Sequence, residues 1–121
     1  IDVLIGVGGT PEGVLAACAL RAMGGEIQGK LFARNDDELK AGIEMGYDFE
    51  KVLTMDDLVA SDDVFFAATG ITDGELLDGV KYYSHGARTE SIVVRGITGT
   101  VRTIIANHSF EQLDAISTLQ Y

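Results

Sequence analysis

Apolar residues fill positions 1–7 almost without a break. A second apolar block, Val14-Leu15-Ala16-Ala17-Cys18-Ala19-Leu20, follows a short glycine-rich gap. The first block reads as an extended strand and the second as a helix buried on most sides. The gap holds the signals that start a helix: Thr10 is a preferred N-cap, and Pro11 suits the first helical position, where no N–H is needed. Gly24-Gly25 closes this helix. Four further polar starts fit a capping box or its Asp variant. Asn35-Asp36-Asp37-Glu38 opens a helix through about Met45, ended by Gly46, and Thr54-Met55-Asp56-Asp57 opens a short one through about Ala60. Thr72-Asp73-Gly74-Glu75 begins a turn of helix to Asp78, and Ser109-Phe110-Glu111-Gln112 begins a last helix to about Thr118.

Between the helices lie segments rich in Val, Ile, Phe and Thr that read as strands: 26–33, 51–53, 63–68, 80–84, 88–95 and 101–108. Segment 63–68 is mostly apolar, as a central strand covered on both faces would be. The last two strands, joined across Gly96-Ile97-Thr98-Gly99, read as an antiparallel hairpin. Strand and helix alternate early and strands cluster late, which predicts an α/β fold with a mixed β-sheet layered between helices.

The chain has 121 residues, 46% of them apolar, enough for one domain with a sizeable core and too few for two. A single domain over 1–121 is the expectation. Lys and Arg total 9 against 19 Asp and Glu, a net charge of −10. Such a chain repels nucleic acid and anionic membrane surfaces, so neither is expected as a partner. The single cysteine, Cys18, lies in the apolar helix and reads as a packed thiol in a reducing compartment. With no bilayer-length apolar run and no signal peptide, a soluble, cytoplasmic protein is expected. The chain opens on Ile1 inside a strand-like run, so it is read as a piece of a longer protein.

Chemistry concentrates in the loop 8–13. Gly8 and Gly9 allow close approach to the main chain, and a helix N-terminus presents free N–H groups to an anion. Glu12 complicates this, because it puts a carboxylate in the first helical turn. It can simply interact favourably with the helix dipole, worth about 0.3 to 1 kcal/mol. Alternatively, an anion site that carries its own carboxylate needs a cation between the two, and a hard divalent metal binds carboxylate and phosphate oxygens together. That second reading leads to phosphoryl chemistry with Mg²⁺ or Mn²⁺.

Other candidates are weaker. Gly6-x-Gly8 lacks the third glycine of a dinucleotide-binding turn, since Pro11 stands there, and no Lys-Ser or Lys-Thr follows to make a Walker loop. The pairs Asp36-Asp37, Asp56-Asp57 and Asp62-Asp63 lie at helix starts or loops, where capping and solvation explain them. Ala68-Thr69-Gly70-Ile71-Thr72-Asp73-Gly74 reads as a capped turn or a second polar loop. His85 and His108 have no partner at metal-ligand spacing and read as surface or strand-end residues. Arg88, near Thr89 and Ser91, either faces a phosphate or pairs with surplus carboxylates, and the second is favoured.

A set of motifs in order along the chain resembles one family. Gly8-Gly9-Thr10-Pro11-Glu12-Gly13-Val14-Leu15-Ala16-Ala17 comes first, followed by Gly24-Gly25 with Gln28-Gly29-Lys30-Leu31 and by Val52-Leu53-Thr54 with Asp56-Asp57-Leu58-Val59. Phe66-Ala67-Ala68-Thr69-Gly70 with Thr72-Asp73-Gly74, Gly86-Ala87-Arg88-Thr89 with Ser91, and Gly99-Thr100-Val101-Arg102 complete it. Together they look like the C-terminal part of a class II fructose-1,6-bisphosphatase, the bacterial glycerol-operon X type, within the lithium-sensitive phosphatase superfamily.

The resemblance implies a metal-dependent sugar phosphatase, built of alternating layers of helices and sheets, that acts on the 1-phosphate of fructose 1,6-bisphosphate or sedoheptulose 1,7-bisphosphate in gluconeogenesis and glycerol metabolism. It implies Glu12 as a metal ligand for Mn²⁺ or Mg²⁺ and Gly9 as a substrate contact. The expected partners are a sugar bisphosphate and, through the full-length chain, further copies of itself. Family members carry most of their metal-binding acids in an N-terminal part that this sequence does not contain, including an Asp-Pro-(Ile or Leu)-Asp-Gly-Thr motif. The segment alone is therefore expected to lack phosphatase activity. The competing expectation is a non-catalytic module that binds a small anion or nucleotide with the same loop 8–13.

Overall fold

The computed structural model describes residues 3–117, and the chain divides into two compact units between Val64 and Phe65. The class is α/β, with helices and small antiparallel sheets.

In the first unit α1 spans Thr10–Met23. Gly24 ends it in the left-handed conformation (φ 78°), and the Gly25 N–H reaches back to the Leu20 carbonyl at 2.7 Å. Those are the two marks of a glycine C-cap. Two short strands, β1 (Gly29–Lys30) and β2 (Val52–Leu53), pair antiparallel and flank α2 (Asp36–Glu44). The Asn35 side chain caps α2 by accepting from the Glu38 N–H at 2.9 Å, and Glu38 in turn accepts from the Arg34 N–H and guanidinium. Helix α3 (Met55–Leu58) carries a full capping box with Thr54 and Asp57. It stops two residues before the expected end, at a Val59 already in extended conformation.

Ala17, Met55 and Val59 form the buried centre of this unit, with Cys18, Leu20, Ile27, Leu58 and Val64 packed around it. Arg21 locks the same helices from outside. Its guanidinium donates to Asp56 at 2.8 Å, to Asp62 at 2.8 Å and to the Val59 carbonyl at 2.9 Å.

The second unit is built on the hairpin that the sequence predicts. Strands β5 (Gly86–Arg95) and β6 (Thr100–Ser109) pair from Gly86↔Ser109 to Arg95↔Thr100, and a 3-10 turn over Gly96–Thr98 joins them. The other edge of β5 takes β3 (Phe65–Thr69) along its C-terminal half and β4 (Lys81–Tyr83) along its N-terminal end. Ile92 and Val94 are buried on one face of β5, and α4 (Phe110–Ile116) lies against β5 and β6.

Several expectations need correction. Residues 1 and 2 of the expected first strand lie outside the described residues, and Val3 to Gly9 form no regular structure, with Ile5 91% exposed. A strand is held by a neighbour's hydrogen bonds, and no described strand pairs with this one. Helix α1 buries only Ala17 and Ala22, while Leu15 is 61% exposed. The expected strand 26–33 shrinks to β1. Strand β3 is not central: it pairs with β5 alone, and its exposure alternates from Phe65 to Thr69.

Both sheets are antiparallel throughout, not mixed. Parallel pairing needs long crossovers returning to one sheet, and the early helices here connect strands of only two residues. No helix forms from Thr72 to Asp78, where Asp73 accepts from the Gly79 N–H and from Lys81 farther along the chain. Helix α4 is described to Ile116, and Thr118, its expected end, lies outside the described residues.

Two tests follow from the first unit. The Lys51 ammonium (2.7 Å), the Thr54 N–H (2.9 Å) and the Thr54 hydroxyl (3.0 Å) all converge on the Asp57 carboxylate. Lys51 foremost, then the Thr54 donors, bring its pKa from 3.8 down to about 2. A carboxyl with a depressed folded pKa contributes stability above its unfolded pKa and loses it as pH falls through the folded value. Melting temperature should therefore fall more steeply for wild type than for Asp57→Asn between about pH 4 and 2, and parallel pH profiles would contradict the assignment.

Gly42 is buried against Phe49, and a Cβ there would lie 2.5 Å from the ring. Gly42→Ala should destabilise the protein by about 1 to 3 kcal/mol in denaturant titrations, an overpacking cost larger than the gain in helix propensity.

Candidate functional site

The loop into α1 is shaped by its first helical hydrogen bond, from the Gly13 N–H to the Gly9 carbonyl at 3.0 Å. Gly9 is the N-cap, in extended conformation (φ −66°, ψ 156°), and Thr10 makes no side-chain cap. The cap thus falls one residue earlier than the sequence suggests. Pro11 tolerates the shift, because a proline costs nothing anywhere among the first helical N–H groups, which lack partners in any case. The N–H groups of Thr10 and Glu12 precede the first helical bond and have no acceptor within the helix.

Glu12 is exposed in the first turn, with its side chain turned back over Gly9. A Cβ on Gly9 would lie 3.1 Å from the Glu12 carboxyl carbon and closer still to Oε2. Among the described residues, the Glu12 side chain forms no hydrogen bond or ion pair. A carboxylate and unpaired N–H donors therefore share one helix entrance. The dipole favours the carboxylate there, and an incoming phosphate would meet both attraction and repulsion.

The carboxylate oxygen is the hard donor that Mg²⁺ or Mn²⁺ selects. It fits such an ion as one ligand. Among the described residues, no three His, Cys, Asp or Glu side chains gather to complete a site.

The acidic pairs are spent elsewhere. Asp36 and Asp37 lie in the first turn of α2, Asp57 caps α3, and Asp56 and Asp62 hold Arg21. A shallow depression of about 290 Å³ opens beside that Arg21 cluster, lined also by Gly25, Glu26 and Thr54. It lies at the far end of α1, about 18 Å along the helix from Glu12 at 1.5 Å per residue. Arg21, Asp56 and Asp62 are already paired there, and Glu26 accepts only from the Ile27 N–H at 3.4 Å.

The loop after β3 uses its polar groups internally. The Thr69 hydroxyl meets that of Ser91 at 2.8 Å, and the Gly70 N–H donates to the Glu90 carbonyl at 3.0 Å. Asp73 accepts from the Gly79 N–H at 2.9 Å and from the Lys81 ammonium, and Lys81, foremost of the two, holds the Asp73 carboxyl below its ordinary pKa.

Arg88 makes no ion pair among the described residues. It stands exposed opposite Lys81 in register, and it is Lys81 that takes Asp73, so the expected pairing of Arg88 with a carboxylate does not form. His108 Nε2 lies 2.9 Å from the Thr89 hydroxyl, and His85 offers its carbonyl to the Phe110 N–H, both as strand-end residues. Sequence reasoning did not single out Arg21, Lys51 or Lys81, the cations that organise these carboxylates. Arg21 pairs across 35 and 41 positions, a separation that leaves no local pattern to read.

No described helix is long and apolar enough to cross a membrane. Residues 1–108 match the family described as bacterial fructose-1,6-bisphosphatase, glpX-encoded. The class 2 fructose-1,6-bisphosphatase of Haemophilus influenzae is 39% identical over 126 aligned positions, covering 93% of this chain and 38% of that protein. Fructose-1,6-bisphosphatase 1 class 2 of Escherichia coli K12 is likewise 39% identical, over 127 positions, covering 94% of this chain and 38% of its own length. The chain thus spans about two-fifths of the length of these curated relatives. With a match running from the helix entrance through the hairpin, the chain belongs to the bacterial glpX-encoded fructose-1,6-bisphosphatase family.

Proposed function

We propose that this chain is part of a metal-dependent sugar phosphatase that hydrolyses the 1-phosphate of fructose 1,6-bisphosphate, giving fructose 6-phosphate and phosphate, in gluconeogenesis and glycerol metabolism. Family membership supports the reaction class. The observation that carries the site is the Glu12 carboxylate turned back over Gly9 beside unpaired N–H donors, with no protein partner among the described residues. In this reading Glu12 supplies one ligand to Mn²⁺ or Mg²⁺, and the remaining ligands come from the part of the intact protein that the relatives' greater length represents.

An ion held in part by Glu12 would supply a lowered pKa for a bound water and would offset charge on the phosphoryl oxygens. The chain's own part is to hold and orient. N–H groups around Gly9 and Thr10 receive substrate oxygens at the positive end of α1, and the exposed approach to that end admits a sugar phosphate. The intact protein is proposed to work in the cytoplasm as a homo-oligomer.

Glu12→Gln in the intact protein should reduce phosphate release from fructose 1,6-bisphosphate by about a hundredfold or more. Melting temperature should stay unchanged, because the side chain is exposed. A chelator should stop the wild-type reaction. Wild-type turnover by Glu12→Gln would refute the metal-ligand role. Tighter anion binding by that variant, without turnover in either protein, would favour a simple anion-binding module.

A further inference from the structure

Among the glycines around the α1 entrance, Gly9 alone faces an obstructed Cβ position. A Cβ at Gly6, Gly8 or Gly13 would meet nothing within 4 Å, whereas one at Gly9 would strike the Glu12 carboxyl group. The Gly9 backbone does not explain its identity, since φ −66° and ψ 156° are open to any residue. What the position requires is space, and Glu12 is the group that occupies it.

We propose that Gly9 is a positioning residue: its missing side chain lets the Glu12 carboxylate fold back over the helix entrance and so fixes how that carboxylate is presented to a divalent cation. This rests on the metal-ligand reading of Glu12. The group struck is the far end of a flexible, exposed side chain, so a methyl at position 9 would leave the helix in place and drive Glu12 into another rotamer. The change is local. Ligand carboxylates must meet an ion at a narrow range of distances, so a rotamer change forfeits most of the contribution from this side chain.

The test uses the intact protein and Mn²⁺ alone, titrated by electron paramagnetic resonance, with Gly9→Ala, Gly6→Ala, Glu12→Gln and the Gly9→Ala/Glu12→Gln double variant. Gly9→Ala should weaken Mn²⁺ binding about tenfold or more at unchanged melting temperature, an effect of the size seen when ligand-orienting groups are lost. Gly6→Ala should bind as wild type does. In the Glu12→Gln background, Gly9→Ala should add no further loss, because residues that act through one another are not additive.

Unchanged Mn²⁺ affinity in Gly9→Ala overturns the proposal, and so does an equal loss with and without Glu12. If Glu12→Gln itself binds Mn²⁺ as wild type does, the metal-ligand reading fails. A crystal structure of Gly9→Ala then decides the positioning role by itself: a displaced Glu12 carboxylate upholds it, and an unmoved one overturns it.

Discussion

The ladder between β5 and β6 is the interaction on which the second unit depends. It runs the full length of two ten-residue strands and leaves the other edge of β5 to carry both β3 and β4. Each of those shorter strands pairs with β5 alone. A two-stranded ribbon is marginal in water, and β3 widens it into a sheet along the half of β5 that holds the buried Ile92 and Val94. The register follows from the four-residue connection from Gly96 to Gly99, which sets Arg95 opposite Thr100.

The first unit has no comparable ladder and relies on helix contacts backed by charge. The Ala17, Met55 and Val59 cluster is small, and Arg21 supplements it by joining α1 to the start of α3 and to the chain after it. Exposed ion pairs contribute little singly, but a guanidinium that also satisfies a backbone carbonyl holds geometry as well as charge. The clamp fixes the C-terminal end of α1, so the helix entrance at the other end is presented by a rigid rod.

Local signals carry much of the fold, although Thr10 and Ser109, both expected caps, make no side-chain cap. The Thr54 and Asp57 box, the Asn35 cap, the Gly24 terminus and the hairpin across 96–99 each depend on residues within a few positions of one another. The pattern misleads where a segment's fate depends on distant neighbours. Residues 3–9 have strand composition without a strand to pair with, and the apolar faces of α1 extend past what α3 covers. Thr72-Asp73-Gly74-Glu75 has the letters of a capping box, yet no helix follows it, and Asp73 ties the segment forward to Gly79 and Lys81. At the candidate site the helix start and the carboxylate in its first turn are both legible in the sequence. It could not reveal that the carboxylate folds onto Gly9, which is a matter of side-chain rotamer.

The segment between β3 and β4 is stitched shut at its base. Bonds from the Gly70 N–H to the Glu90 carbonyl and from the Val80 N–H to the Ile71 carbonyl close its two ends, and the Gly74 N–H to the Leu77 carbonyl closes a smaller ring within it. Glu75 and Leu76, at the tip of that ring, are exposed. Because the strands on either side take their alignment from β5 and not from the connection, this tip is a natural place to splice in a foreign peptide, where the added chain costs little loop-closure entropy.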